Sequence, residues 1–128
     1  MEDLLFIKGT EKSPEINFDK EKGIFKISGI SYSEEVYKIY TMAIEWLQGY
    51  FESPNENTEL EFDMDYMNST SVLQIALIMK ILKDNVEKGA NISVKWYFDK
   101  NNIDMEEQGE DLSNLFGLKF NLIEKDEE

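Results

Sequence analysis

A chain of 128 residues is long enough to bury a sizeable core as one domain, and it carries neither cysteine nor histidine. Thiol chemistry, a disulfide framework, a Cys/His zinc site and any histidine-based triad are thereby excluded. With 27 acidic against 13 basic residues and a formal net charge of -14, the surface disfavours nucleic acid and anionic membranes and suits basic protein partners.

The opening segment MEDLLFIKGTEKSPE has no basic stretch followed by an apolar core, and no apolar run approaches ~18 residues. A cytoplasmic protein without a membrane span is expected. Glu15 to Asp19 and Gly23 to Ser28 each alternate apolar and polar residues, predicting a hairpin that turns through Lys20-Glu21-Lys22-Gly23. Ser31-Tyr32-Ser33-Glu34 has the form of a capping box, with Ser31 as N-cap and Glu34 reaching back. Val36, Ile39, Tyr40, Ala43, Trp46, Leu47 and Tyr50 follow at helical spacing, so a first helix is expected from about Ser33 to Phe51. Ser53 to Asn57 reads as a loop.

From Thr58 to Met67 the period falls to two. Leu60, Phe62, Met64 and Tyr66 are expected on one face, Glu59, Glu61, Asp63 and Asp65 on the other, as in a half-buried strand. A second helix is expected from about Ser71 to Lys88, stopped by Gly89. Asn91 to Asp99 alternates again, with Ile92, Val94, Trp96 and Phe98 sharing a face. Asp104 to Phe116 predicts a weaker, acidic helix interrupted by Gly109, and Leu118, Phe120 and Leu122 a last strand. The acidic tail, Glu124 to Glu128, is expected to be disordered.

Alternating strands have one wet face, so the helices belong together on the other. Right-handed crossovers with all helices on one side make successive strands advance in one direction. The expected fold is a single α/β domain over residues 1–128: a five-stranded mixed sheet in the order 1-2-3-4-5, strand 1 antiparallel, with three helices on one face and Trp46 and Trp96 between the layers.

Between the third strand and the second helix stands Asn68-Ser69-Thr70-Ser71. These are preferred N-cap residues, each cap being worth ~1 kcal/mol, but one cap explains only one of them. A helix N-terminus also presents unpaired N–H groups and partial positive charge, suited to a phosphate carried on a hydroxyl. Asp63-Met64-Asp65 resembles the Asp-x-Asp of haloacid-dehalogenase-type phosphatases, which would make Asp63 a Mg²⁺-assisted nucleophile. The alternation instead sends both carboxylates to the open face. The second helix, apolar from Val72 to Leu82 except at Gln74 and Lys80, is expected to be mostly core, with the alternative of an exposed apolar patch beside the hydroxyls suited to a partner protein.

Ser13-Pro14-Glu15-Ile16, Gly29-Ile30-Ser31-Tyr32-Ser33-Glu34-Glu35, Tyr66-Met67-Asn68-Ser69-Thr70-Ser71, Trp96-Tyr97-Phe98 and Glu107-Gln108-Gly109-Glu110-Asp111 resemble, in order and spacing, the SiaC family of bacterial regulatory phosphoproteins. More distantly, the strand, hydroxyl turn and helix are similar to those of STAS-domain anti-sigma-factor antagonists. The resemblance implies a STAS-like fold and a partner switch. A cognate Ser/Thr kinase of the ATPase fold modifies a hydroxyl, a PP2C-type phosphatase removes the phosphate, and the unmodified form binds and activates a diguanylate cyclase. The family pattern, Tyr-hydrophobic-Asn-Thr-Ser-Ser, falls on Ser69, with the threonine displaced to Thr70. Asp65, Tyr66, Asn68, Ser71 and Gln74 are then the surroundings that meet the partners. The chain has no plausible nucleophile-base pair, so no catalytic residue is expected and the domain would be a substrate of enzymes and not an enzyme; it needs no cofactor of its own, since ATP and Mg²⁺ would be bound by the kinase. Two alternatives stand beside it: an interaction domain indifferent to phosphate, and a small Mg²⁺-dependent phosphatase using Asp63.

Overall fold

The computed structural model describes residues 2–125. It holds six strands and three helices: β1 (Leu4–Ile7), β2 (Glu15–Asp19), β3 (Ile24–Ser31), α1 (Val36–Tyr50), β4 (Thr58–Met67), α2 (Ser69–Glu87), β5 (Ile92–Asp99), α3 (Ile103–Phe116) and β6 (Phe120–Lys125). The strands lie side by side in the order β1-β2-β3-β4-β5-β6. The first three pair antiparallel and the last four parallel.

The sheet therefore has six strands where five are expected from the sequence. The added strand, β1, is Leu4-Leu5-Phe6-Ile7, apolar at every position, so no alternation marks it. It joins as an edge because Leu5 and Ile7 reach the core while Leu4 and Phe6 face water. The order of the five expected strands and the reversed direction of the first are as predicted.

One core cluster joins Ile16, Phe18, Phe25, Ile27, Leu60, Phe62, Val94, Trp96 and Phe98 from the sheet to the inner residues of all three helices. Residues of the opposite strand parity, such as Glu61, Asp63, Lys95 and Tyr97, stay partly or fully accessible. All three helices thus cover one face, as the alternation requires. Both tryptophans are buried between the layers. Trp46 stacks on Tyr50 with ring centroids 5.4 Å apart, and Trp96 lies between Phe62 and Phe120 at 5.3 and 5.8 Å.

Several local expectations are corrected. Helix α1 begins at Val36 with Glu35 at its N-cap and no side-chain cap, because Ser31 is still the last residue of β3 and is fully buried. The Ser31–Glu34 capping box does not form. Gly109 is no interruption: it is buried inside α3, where a Cβ would stand 2.5 Å from Cδ1 of Trp96, so the helix can approach the sheet only with glycine there. Glu124 and Lys125, expected in a disordered tail, end β6; Asp126, Glu127 and Glu128 lie outside the described residues.

The alternation in β4 also changes before its end. Gly29 of β3 is opposite Met64, but Ile30 is opposite Tyr66, leaving Asp65 as the extra residue of a β-bulge. Gly29 takes φ of +104° at this step, a conformation glycine adopts without steric cost. Beyond the bulge the faces exchange. Tyr66, expected inside with Phe62 and Met64, points to water, and Met67 is buried instead.

Candidate functional site

The hydroxyl turn is built by the end of β3 as much as by its own residues. Asn68 is the N-cap of α2, extended at φ -85° and ψ 177°, and its Oδ1 accepts from the backbone N–H of Ser71 at 2.9 Å. Its own N–H donates to the Ser31 carbonyl at 3.0 Å, and its side-chain amide donates to the Tyr32 carbonyl at 3.2 Å. One asparagine therefore caps the helix and fastens it to the neighbouring strand.

Ser71 completes the fastening from inside. Its side chain is fully buried; Oγ donates to the Ser31 carbonyl at 2.9 Å and lies 2.6 Å from Ser31 Oγ. A hydroxyl has one proton to donate. With that of Ser71 directed to the carbonyl, Ser31 donates to Ser71, and the Tyr40 hydroxyl, 3.0 Å from Ser31 Oγ, donates to Ser31. Burial pushes the Tyr40 phenol up to about 12, the bond to Ser31 offsetting part of that, so it remains a neutral donor at physiological pH. This relay joins α1, β3 and α2 through three hydroxyls.

With Asn68 as cap and Ser71 as anchor, the first two residues of the helix are left for the solvent. Ser69 and Thr70 are both exposed. Ser69 borders a groove lined also by Tyr66, Met67, Asn68, Val72, Leu73 and Gln108. Tyr66, thrown outward by the bulge, is 53% accessible and meets exposed Tyr32 edge-on, with centroids 6.1 Å apart and planes at 75°. Leu73 is 66% accessible, and Leu77 follows one turn later, also exposed. Gln108 brings a buried Oε1 that has no hydrogen-bond partner among the described residues.

The residues grouped by sequence thus separate. Asp65, Tyr66, Ser69 and Thr70 are exposed, Asn68 and Gln74 partly so, and Ser71 faces inward. Tyr32 and Gln108, both within the motifs that carry the family resemblance, and Leu73 and Leu77, on the exposed patch expected of the second helix, complete the surface. Leu73 and Leu77 carry an i, i+4 signal, but it merges with the core stripe of an almost wholly apolar helix. Gln108 belongs to a motif of the family resemblance, but nothing in its acidic helix shows from periodicity that it reaches the hydroxyl turn.

The acidic residues beside the turn are drawn together by one lysine. Asp63 Oδ1 is held by the Lys125 ammonium at 2.7 Å, and the same ammonium lies 3.7 Å from Asp99. The hydrogen bond to Asp63 raises the Lys125 pKa above its usual value, against a smaller opposing effect of desolvation. Asp65, at the bulge, has its carboxyl raised by desolvation, with Lys125 pulling it down and Asp63 and Asp99 pushing it further up.

A model of the SiaC family of regulatory phosphoproteins matches residues 7–125. The chain belongs to the SiaC family. Apo-SiaC from Pseudomonas aeruginosa has the same fold, with a TM-score of 0.87 at 25% identity over 94% of this chain and 98% of that one. A chain in the crystal structure of the diguanylate cyclase SiaD in complex with its activator SiaC, also from P. aeruginosa, matches with a TM-score of 0.88 at 25% identity, covering 94% and 99% of the two chains. An uncharacterised protein of P. aeruginosa strain UCBPP-PA14 is 26% identical over 123 residues, 96% of this chain and 98% of that protein. SiaC-family proteins are regulators and not enzymes, which sets aside the phosphatase reading of Asp63. Among the described residues no helix is long and apolar enough to cross a membrane.

Proposed function

We propose that this SiaC-family protein is a cytoplasmic partner switch, phosphorylated at the start of α2 and active toward its target only when unmodified. In this reading a cognate ATPase-fold kinase, which binds the ATP and Mg²⁺, modifies Ser69 or its neighbour Thr70, and a PP2C-type phosphatase reverses the step. The target is a diguanylate cyclase, by analogy with the SiaD–SiaC complex. The likeness to STAS-domain antagonists belongs to the same reading, since in both a hydroxyl at a helix N-terminus is the switch.

The observation that carries the proposal is the division of labour in the turn. Capping and anchoring are done by Asn68 and Ser71, so the Ser69 and Thr70 hydroxyls make no hydrogen bond among the described residues that a phosphate would break. Ser69 is the favoured acceptor because it borders the groove between Tyr66, Leu73 and Gln108. A phosphate there adds roughly -1.5 to -2 charges beside apolar side chains that a partner must cover. Desolvating that dianion would oppose binding, while the helix N-terminus stabilises it in the free protein. Binding would be switched off without refolding.

Incubation with the cognate kinase and ATP-Mg²⁺, followed by mass spectrometry, tests the reading. Ser69→Ala is expected to abolish modification, and Ser69→Asp to weaken partner binding, though a single carboxylate carries about half the charge of a phosphate. If phosphate appears on Thr70 and survives Ser69→Ala, the acceptor is the neighbour. If neither residue is modified and neither substitution alters binding, the switch does not exist.

A further inference from the structure

The edge of the sheet opposite β6 carries a second surface, remote from the hydroxyl turn. There β1 pairs with β2 in the register Leu4↔Asp19 to Ile7↔Ile16, and the Lys20 N–H donates to the Asp3 carbonyl at 2.8 Å. In an antiparallel ladder the bonded positions alternate, so Asp3, Leu5 and Ile7 turn their backbone groups to β2. Leu4 and Phe6 turn theirs to the free edge. The same two side chains are each 53% accessible, an unusual exposure for apolar residues on an unpaired edge. Beside them, Leu5, Met42 and Trp46 help to line a shallow apolar hollow. The family match begins at residue 7, so Leu4 and Phe6 lie ahead of it.

We propose that β1 pairs antiparallel with β1 of a second copy, about a two-fold axis at Leu5, joining two sheets into one of twelve strands. The segment Glu2-Asp3-Leu4-Leu5-Phe6-Ile7-Lys8 is complementary to itself in that arrangement. Leu4 of each copy is opposite Phe6 of the other, on the same face, and these are the residues whose N–H and C=O groups point outward. Lys8 of each copy arrives beside the acidic Glu2–Asp3 end of the other. A slip of one residue would set outward groups against inward ones, and a parallel arrangement would place Lys8 beside Lys8. Of these three arrangements the two-fold pairing at Leu5 satisfies backbone and charge together. Because β1 has only four residues, the dimer is weak and forms with concentration.

Sedimentation equilibrium of the full chain, from micromolar to millimolar concentration, reads this directly at physiological ionic strength, where repulsion between the acidic chains is screened over ~8 Å. The mean mass is expected to climb from 15.0 kDa toward twice that value. Phe6→Pro removes an outward N–H without touching a bond to β2 and is expected to keep the chain monomeric with an unchanged far-ultraviolet spectrum. Lys8→Glu sets like charges together at both ends and should weaken association about tenfold, and Glu2→Lys/Lys8→Glu should restore it. A constant mass of 15.0 kDa in the wild-type chain overturns the proposal, as does a dimer that Phe6→Pro leaves intact. Should Phe6→Pro impair folding, the charge exchange decides: loss of association in Lys8→Glu without recovery in the double variant is equally fatal.

Discussion

Four adjacent residues of one turn fall into three grades of exposure, Ser71 buried, Asn68 half-buried, Ser69 and Thr70 exposed, and their costs of substitution follow that order. Ser71→Ala would leave the Ser31 carbonyl and hydroxyl each short of one partner in a fully buried site, a loss of about 1–3 kcal/mol by urea denaturation. Asn68→Ala removes the cap and should cost about 1 kcal/mol, whereas Ser69→Ala and Thr70→Ala, both exposed, should stay within about 0.5 kcal/mol. Equal losses at all four would contradict the hydrogen-bond assignment. Asp65 offers a test by pH. Its carboxyl is raised above 3.8 by desolvation, against the pull of Lys125 and with help from Asp63 and Asp99, so the native state holds this proton more tightly than the unfolded chain does. Ionised Asp65 consequently subtracts stability above its native pKa, and the penalty disappears as pH falls below the unfolded value. Asp65→Asn is expected to raise the melting temperature slightly at neutral pH, the effect being kept small by solvent screening, and to converge with wild type in acid. A melting temperature lowered at neutral pH would show that the Asp65–Lys125 attraction outweighs the other effects.

Helix α3 meets the sheet through Gly109, and Gly109→Ala is expected to destabilise the protein by about 1–3 kcal/mol, although alanine is the better helix former by about 1 kcal/mol. The new methyl would overlap Trp96, whose indole N–H is committed to the Met105 carbonyl at 2.9 Å; a variant as stable as wild type would mean that α3 can lift off the sheet. What sequence could and could not disclose follows the same line between local and cross-element causes. The period-two segment at Thr58–Met67 and the helical spacing from Val36 to Tyr50 have their causes within the segment itself, and both appear where expected. Gly109 reads as an interruption because the tryptophan that requires it is on another element. Asp65 keeps the polar-apolar pattern unbroken in sequence, yet the bulge is set by a mismatch with Gly29 and Ile30 across the ladder, so the outward turn of Tyr66 was hidden. Ser31 satisfies the local capping pattern with Glu34, and the buried hydroxyls of Tyr40 and Ser71 claim it instead. In the candidate site, the hydroxyl turn was therefore legible, and so was an apolar patch on the second helix, but the outward orientation of Tyr66 and the identity of the exposed leucines were not.

At the scale of the whole molecule, a net charge of -14 acts at distances where individual contacts do not. Association with a basic partner should be fast at low salt and slow as salt is raised, with dissociation changing less; a salt-independent on-rate in stopped-flow measurements would remove long-range steering from the account. The order of the strands has a consequence of another kind. Since β1 to β6 stand side by side in the order in which they are synthesised, each new strand docks on the one made just before it, and none has to be inserted between two already paired. Most loops to be closed are short in sequence, which favours rapid folding for a mixed α/β chain. Emerging from the ribosome, the β1–β3 meander and α1 can assemble before α3 exists. The last of the described strands, β6, carries Lys125, whose ammonium bridges Asp99 on the adjoining β5 and Asp63 one strand further on, in β4, so these three strands would be latched together at the end of β6.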